Sequence, residues 1–166
     1  VHSAHFGRAS DYAGTKVLVV GAGNSGFDAL NHLSGVETGQ MWLSARNGPS
    51  LLPKRIGKIA VHRFSPVFGD LGTYGLPPAP SGGASRLGSD YTAIAADDGA
   101  VDAIKAGRII VVPQVKEFRH DGVVLESGQS IAPDIVIAAT GYRTGLEAMV
   151  GRLGVLDAKG VPLFNG

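Results

Sequence analysis

One six-residue turn constrains this chain more than any other feature. Gly21-Ala22-Gly23-Asn24-Ser25-Gly26 fits the spacing G-x-G-x-x-G. It directly follows Lys16-Val17-Leu18-Val19-Val20, a continuous apolar run with β-branched residues, as a strand buried on both faces requires. Beyond the turn, Phe27, Leu30 and Leu33 recur at helical spacing. The turn therefore joins a buried strand to an amphipathic helix, the context in which the pattern carries weight. Gly21 permits the tight bend, Gly23 lets the backbone approach a pyrophosphate, and Gly26 lets helix and strand pack closely. The unpaired amides opening the helix, equivalent to roughly +0.5 charge, face such phosphates. Asn24 and Ser25 add side-chain donors.

Met41–Ala45 is a second short apolar run, ending at Arg46. Strand, turn, helix and strand in this order make a βαβ unit with parallel strands. Gly35 is expected to stop the helix in the left-handed region. The end of the second strand selects the nucleotide. An acidic residue there would hold a ribose hydroxyl and repel a 2′-phosphate, whereas a guanidinium can fork onto that phosphate. The chain offers Arg46, then Asn47, with Lys54-Arg55 nearby. The residues thus predict a site for NADP(H) rather than NAD.

Later segments complete the frame. Asp97 can cap a helix carrying Val101 and Ile104, which Gly107 would end, and Arg108–Val112 reads as a strand. Val115–Arg119 and Val123–Glu126 form a hairpin about His120-Asp121-Gly122. Asp134 precedes Ile135–Ala139, another buried strand. Thr140 and Gly141 follow it, where open α/β sheets bind ligands. Leu146–Leu153 could close the unit as a short helix. The expected fold is α/β: a Rossmann-like three-layer domain with a parallel sheet plus a small antiparallel β-meander.

Composition narrows the alternatives. Fifteen basic and fourteen acidic residues leave a charge of +1, so no global field draws the chain to nucleic acid or an anionic membrane. Absence of cysteine removes disulfide scaffolds, thiolate metal sites and cysteine nucleophiles. No apolar run approaches the roughly 20 residues of a membrane span, and a cytoplasmic location is expected. His5, His32, His62 and His120 are scattered, and no metal site is predicted. Asp97, Asp98 and Asp102 fit a helix start better than acid–base chemistry. Ser25 lacks the G-x-S-x-G elbow of a hydrolase. No catalytic residue is assigned.

More than half of Ser65–Asp90 is glycine, proline or serine. Such a stretch reads as a lid or as an excursion packing on something outside the domain.

Several motifs, in order, resemble the flavin-containing monooxygenases, and bacterial members in particular. His2-Ser3, with Phe6 and Tyr12, is similar to the tail of the family's F-x-G-x-x-x-H-S fingerprint, which runs into its NADPH glycine motif. Arg46 matches the family's arginine after the second strand. Tyr74-Gly75-Leu76-Pro77 resembles a loop of the bacterial members, and Asp98–Pro113 their next helix–strand unit. Ala139-Thr140-Gly141-Tyr142-Arg143 is similar to the A-T-G-Y-R motif leading back toward the flavin domain. The resemblance implies an enzyme in which NADPH reduces FAD and the flavin then oxygenates a small substrate. The family's first G-x-G-x-x-G, which holds FAD, is missing. The chain is therefore expected to be the NADP(H)-binding domain, inactive alone, whose partner is the missing FAD domain of the same polypeptide. Val1–Ala13 would be an arm from that domain, residues 14–144 the NADP(H) domain with its excursion at 65–90, and residues 145–166 a tail returning to it. Two other readings stay open: a stand-alone NADP-binding sensor or interaction module, and the nicotinamide domain of another two-dinucleotide flavoenzyme.

Overall fold

The computed structural model describes residues 1–54, 68–79, 94–142, 145–158, 160 and 162–163. Strand β1 (Val17–Val20) is the centre of a parallel sheet. It pairs with β2 (Met41–Ser44) on one side, register Val17 with Met41, and with β9 (Ile135–Ala138) on the other, Val17 with Ile135. Strand β5 (Ile109–Val112) adds to the outside of β2, giving the order β5-β2-β1-β9. All four run parallel, so every connection between them must cross a face of the sheet.

Alternation within β1 distributes the core. Val17 and Val19 enter one cluster with Phe27, Leu30 and Leu33 of α1 (Asn24–Ser34) and with Val101 and Ile104 of α2 (Ala100–Lys105). Leu18 faces the other way, packing with Val112 and with Val123, Leu125 and Ile131. Those last three come from the antiparallel meander β6 (Val115–Arg119), β7 (Gly122–Leu125) and β8 (Ser130–Ile131). Helices, parallel sheet and meander are the three layers, with the meander where a doubly wound fold would place a second helix layer. Each large side chain so buried contributes about 1.5–3 kcal/mol, which makes the middle sheet the rigid part of the domain.

Several local expectations hold and some need correction. Asp97 accepts from the Val101 amide at 2.8 Å at the start of α2, and Gly107 follows that helix with φ +74°. Gly35 ends α1 but with φ −91°, outside the left-handed region. The chain leaves instead through a turn in which the Val36 amide donates to Leu33 and the Thr38 amide to Val36. Two short parallel strands, β3 (Leu51–Pro53) and β4 (Ala95–Asp97), form a pair that sequence pattern did not suggest. Asn31 of α1 holds it: its amide donates to Ala96 at 2.7 Å, and its oxygen accepts from Asp98 and Ala100.

The arm is built into the domain. His2 bridges to Ala138 in the parallel sense, and the Ala138 amide donates to the Val1 carbonyl at 2.8 Å. Tyr12 is buried, its hydroxyl donating to the Phe6 carbonyl at 2.7 Å and its ring stacked on Phe6. The Phe6 ring in turn lies 6.1 Å from His32 on α1. Part of the Gly/Pro-rich stretch is likewise internal. A 3-10 turn at Leu71–Tyr74 ends at Gly75 (φ +87°), and Leu76 enters the main core. Most of the remainder of that stretch, with His62, Arg55 and Arg143, lies outside the described residues. Near the end, α3 (Leu146–Val150) continues into a 3-10 turn at Gly151–Leu153, matching the closing helix expected there.

Candidate functional site

The carboxyl ends of β1, β2 and β9 open on a cleft of about 570 Å³. A parallel sheet leaves such a crevice where the chain order reverses on either side of its first strand. Gly21–Ser25 form one wall, Arg46 and Asn47 stand on another, and Thr140 and Gly141 line the β9 end. Of the residues read from sequence as cofactor contacts, Gly26 alone does not line it.

The three glycines of the turn differ in what requires them. Gly21 has φ +110°, and a Cβ there would collide with the Ala139 carbonyl. At Gly26 a Cβ would collide with the Gly21 carbonyl, so this residue serves close packing from behind the turn. Gly23 has extended backbone (φ −78°) and nothing within 4 Å of a Cβ. The protein itself does not demand glycine at 23; the open space belongs to the cleft. Gly23 is also the N-cap of α1, which carries no side-chain cap, so the helix start is open toward the cleft.

Arg46 and Asn47 are exposed, and among the described residues Arg46 has no ion-pair partner. Lys54 is engaged elsewhere, at 3.1 Å from Asp98. The loop carrying Arg46 is held from outside the cleft. The Gly48 amide donates to the Pro78 carbonyl at 3.1 Å, and a Cβ at Gly48 would collide with the Pro77 carbonyl. Buried Ser44 donates to the Pro113 carbonyl at 3.0 Å, fixing the end of β2.

Sequence reading missed other lining residues, among them Gly48–Ser50, Ala95, Gln114 and Val115. Their one signal was Gly48-Pro49-Ser50, ordinary turn chemistry beyond a strand. His2 and Ser3, in the arm, both engage Tyr142 just beyond the β9 end of the cleft. The His2 ring meets Tyr142 edge-on at 5.0 Å, and Ser3 Oγ lies 3.2 Å from the Tyr142 hydroxyl. Among the described residues, two side chains with shifted ionisation, Tyr12 and Glu117, lie away from the cleft. Burial, then the Asp11 charge, pushes Tyr12 up, while the hydrogen bond from Arg119 holds Glu117 below its usual value. No group of three His, Asp or Glu among the described residues could hold a metal ion.

The sequence is 31 % identical to an indole-3-pyruvate monooxygenase (YUCCA8) of rice, Oryza sativa, across 94 % of this chain and 42 % of that one. This chain is a homologue of one stretch of the flavin-containing monooxygenases. It spans about two fifths of the length of the curated relatives it matches. Solved structures agree in fold. A flavin-containing monooxygenase from Stenotrophomonas maltophilia superposes with a TM-score of 0.61 at 23 % identity, covering 99 % of this chain and 41 % of that one. OTEMO in complex with FAD and NADP gives 0.59 at 12 % identity, covering 98 % and 46 %. No family model matches the chain. No helix among the described residues is long and apolar enough to cross a membrane.

Proposed function

We propose that this chain is the NADP(H)-binding domain of a flavin-dependent monooxygenase, presenting the nicotinamide to FAD held by another part of the enzyme. The observation that carries the reading is convergence: residues from three separate segments, Gly21–Ser25, Arg46-Asn47 and Thr140-Gly141, meet in one cleft. The residues fit the cofactor. Open helix-start amides and the empty space over Gly23 suit a pyrophosphate, and the exposed guanidinium of Arg46 suits a 2′-phosphate.

When bound, NADPH supplies a hydride to an acceptor that this chain does not carry. The chain's own task is to bind and orient. Gly21 and Gly26 fix the turn against Ala139, which sets the start of α1, Gly23 to Ser25, along the cleft. Thr140 and Gly141 shape the β9 end, beyond which Tyr142 joins the arm at His2 and Ser3.

Calorimetric titration with NADP+ and NAD+, repeated on Arg46→Ala, tests the reading. Tighter binding of NADP+ is expected, with a loss of about 1.5–3 kcal/mol in the variant, as for hydrogen bonds to charged groups. Equal affinity for the two nucleotides in the unmutated protein would overturn the 2′-phosphate assignment.

A further inference from the structure

The wall that carries Arg46 also carries a buried hydroxyl without a partner. Ser50 Oγ is shielded from solvent, and it is the one buried side-chain oxygen or nitrogen among the described residues that makes no hydrogen bond. Native proteins satisfy nearly all such atoms, and each exception asks for a cause. Poor placement of the backbone is not the cause here. The Ser50 carbonyl accepts from the Ala95 amide at 2.9 Å, where β3 begins to pair with β4. Two residues earlier, Gly48 is pinned against Pro77 and Pro78. The chain is thus held at Gly48 and again at Ser50, while the Ser50 hydroxyl is left with nothing to bond.

Ser50 lines the same cleft as Arg46, four residues away on one loop. Arg46 is the one charged side chain among the described residues of that lining. A terminal phosphate presents three acceptor oxygens, and one guanidinium fork occupies two of them. A neutral donor beside the arginine completes the set without adding charge. Serine has one side-chain torsion with three staggered wells, so an arriving phosphate can turn the hydroxyl toward it.

We infer that Ser50 is a second 2′-phosphate ligand beside Arg46, and so a determinant of NADP(H) over NAD(H). The inference rests on the proposed NADP(H) role of the cleft.

Titration of the unmutated protein and Ser50→Ala with NADP+, NAD+ and adenosine 2′,5′-bisphosphate, with melting of both ligand-free proteins, tests it. The variant should bind NADP+ and the bisphosphate about ten- to 150-fold more weakly, in line with hydrogen bonds to charged groups. Its NAD+ affinity should stay within about twofold, and its ligand-free Tm should match or exceed that of the unmutated protein, because an unsatisfied buried hydroxyl has gone. Undiminished NADP+ binding in Ser50→Ala overturns the inference alone, as does an equal loss of NADP+ and NAD+ affinity or a fall in ligand-free Tm. If the unmutated protein does not distinguish NADP+ from NAD+, the reading of the cleft falls and this inference with it.

Discussion

The two walls of the cleft are made by different means. The wall at Gly21–Gly26 is backbone against backbone: Gly26 rests on the Gly21 carbonyl and Gly21 on that of Ala139. The wall at Arg46–Ser50 presents side chains, and its shape is borrowed from Pro77 and Pro78, some thirty residues further along. The first tolerates no added atom at two of its glycines. The second is fixed in the same way at Gly48 alone, and its Arg46 and Asn47 are exposed side chains with room to change. A common phosphate grip and a changeable choice of nucleotide are the natural products of that division.

Four substitutions probe the contrast, ordered by their effect on stability. Gly26→Ala forces a Cβ into the Gly21 carbonyl and should cost about 3 kcal/mol, at the upper end for overpacking. A fall in Tm of about 6–12 °C is then expected. A fall below ~2 °C would show that backbone contact does not set the first wall. Gly48→Ala strains the borrowed support and should cost about 2 kcal/mol. Its NADP+ affinity should drop as well, since Arg46 sits two residues away; stable protein with weakened binding would mean that the loop yields while the core does not.

Tyr12→Phe addresses α1 from its far side, where the arm braces it, and should cost about 1 kcal/mol for the lost bond to Phe6. It also carries a pH signature. Burial raises the Tyr12 pKa in the folded state, so the folded protein holds that proton more tightly than the unfolded chain. The stability this confers is complete below about pH 10, the ordinary tyrosine value, and is lost as pH rises through the folded value. Urea melts across that range should show a steeper alkaline decline in the unmutated protein than in the variant. Gly23→Ala should be the mildest to the fold, within about 0.5 kcal/mol, because nothing lies within 4 Å of the added atom. Its NADP+ affinity should nevertheless fall at least about tenfold, as expected where a backbone must approach a pyrophosphate. Undiminished binding would leave glycine at 23 without an explanation.

Legibility in the sequence followed the same division. The strand at Val17–Val20, the helix after it and all three glycines could be read because each signal is local: an apolar run, a period, a turn residue. Arg46 could be read because it stands at a strand end. Ser50 could not, since its significance lies in a missing bond rather than in a motif. Leu76 is a single apolar residue among prolines, with no period to announce its burial. The β3–β4 pair uses Pro53 and two alanines, residues with little strand preference, and depends on Asn31 reaching across from α1. Gly35 shows the opposite failure: a sound local rule, overridden by the turn that leads toward β2.

The bridge between His2 and Ala138 bears on colloidal behaviour. Strand β9 closes one side of the four-stranded sheet, and a bare margin of amides and carbonyls there would be a template for a neighbouring molecule. Val1 and His2 occupy that margin, the Val1 carbonyl taking the Ala138 amide. The arm thus acts as a selvage that keeps the sheet from knitting to its neighbours. Trimming its first few residues should leave the cleft and its nucleotide grip in place while the protein begins to clump.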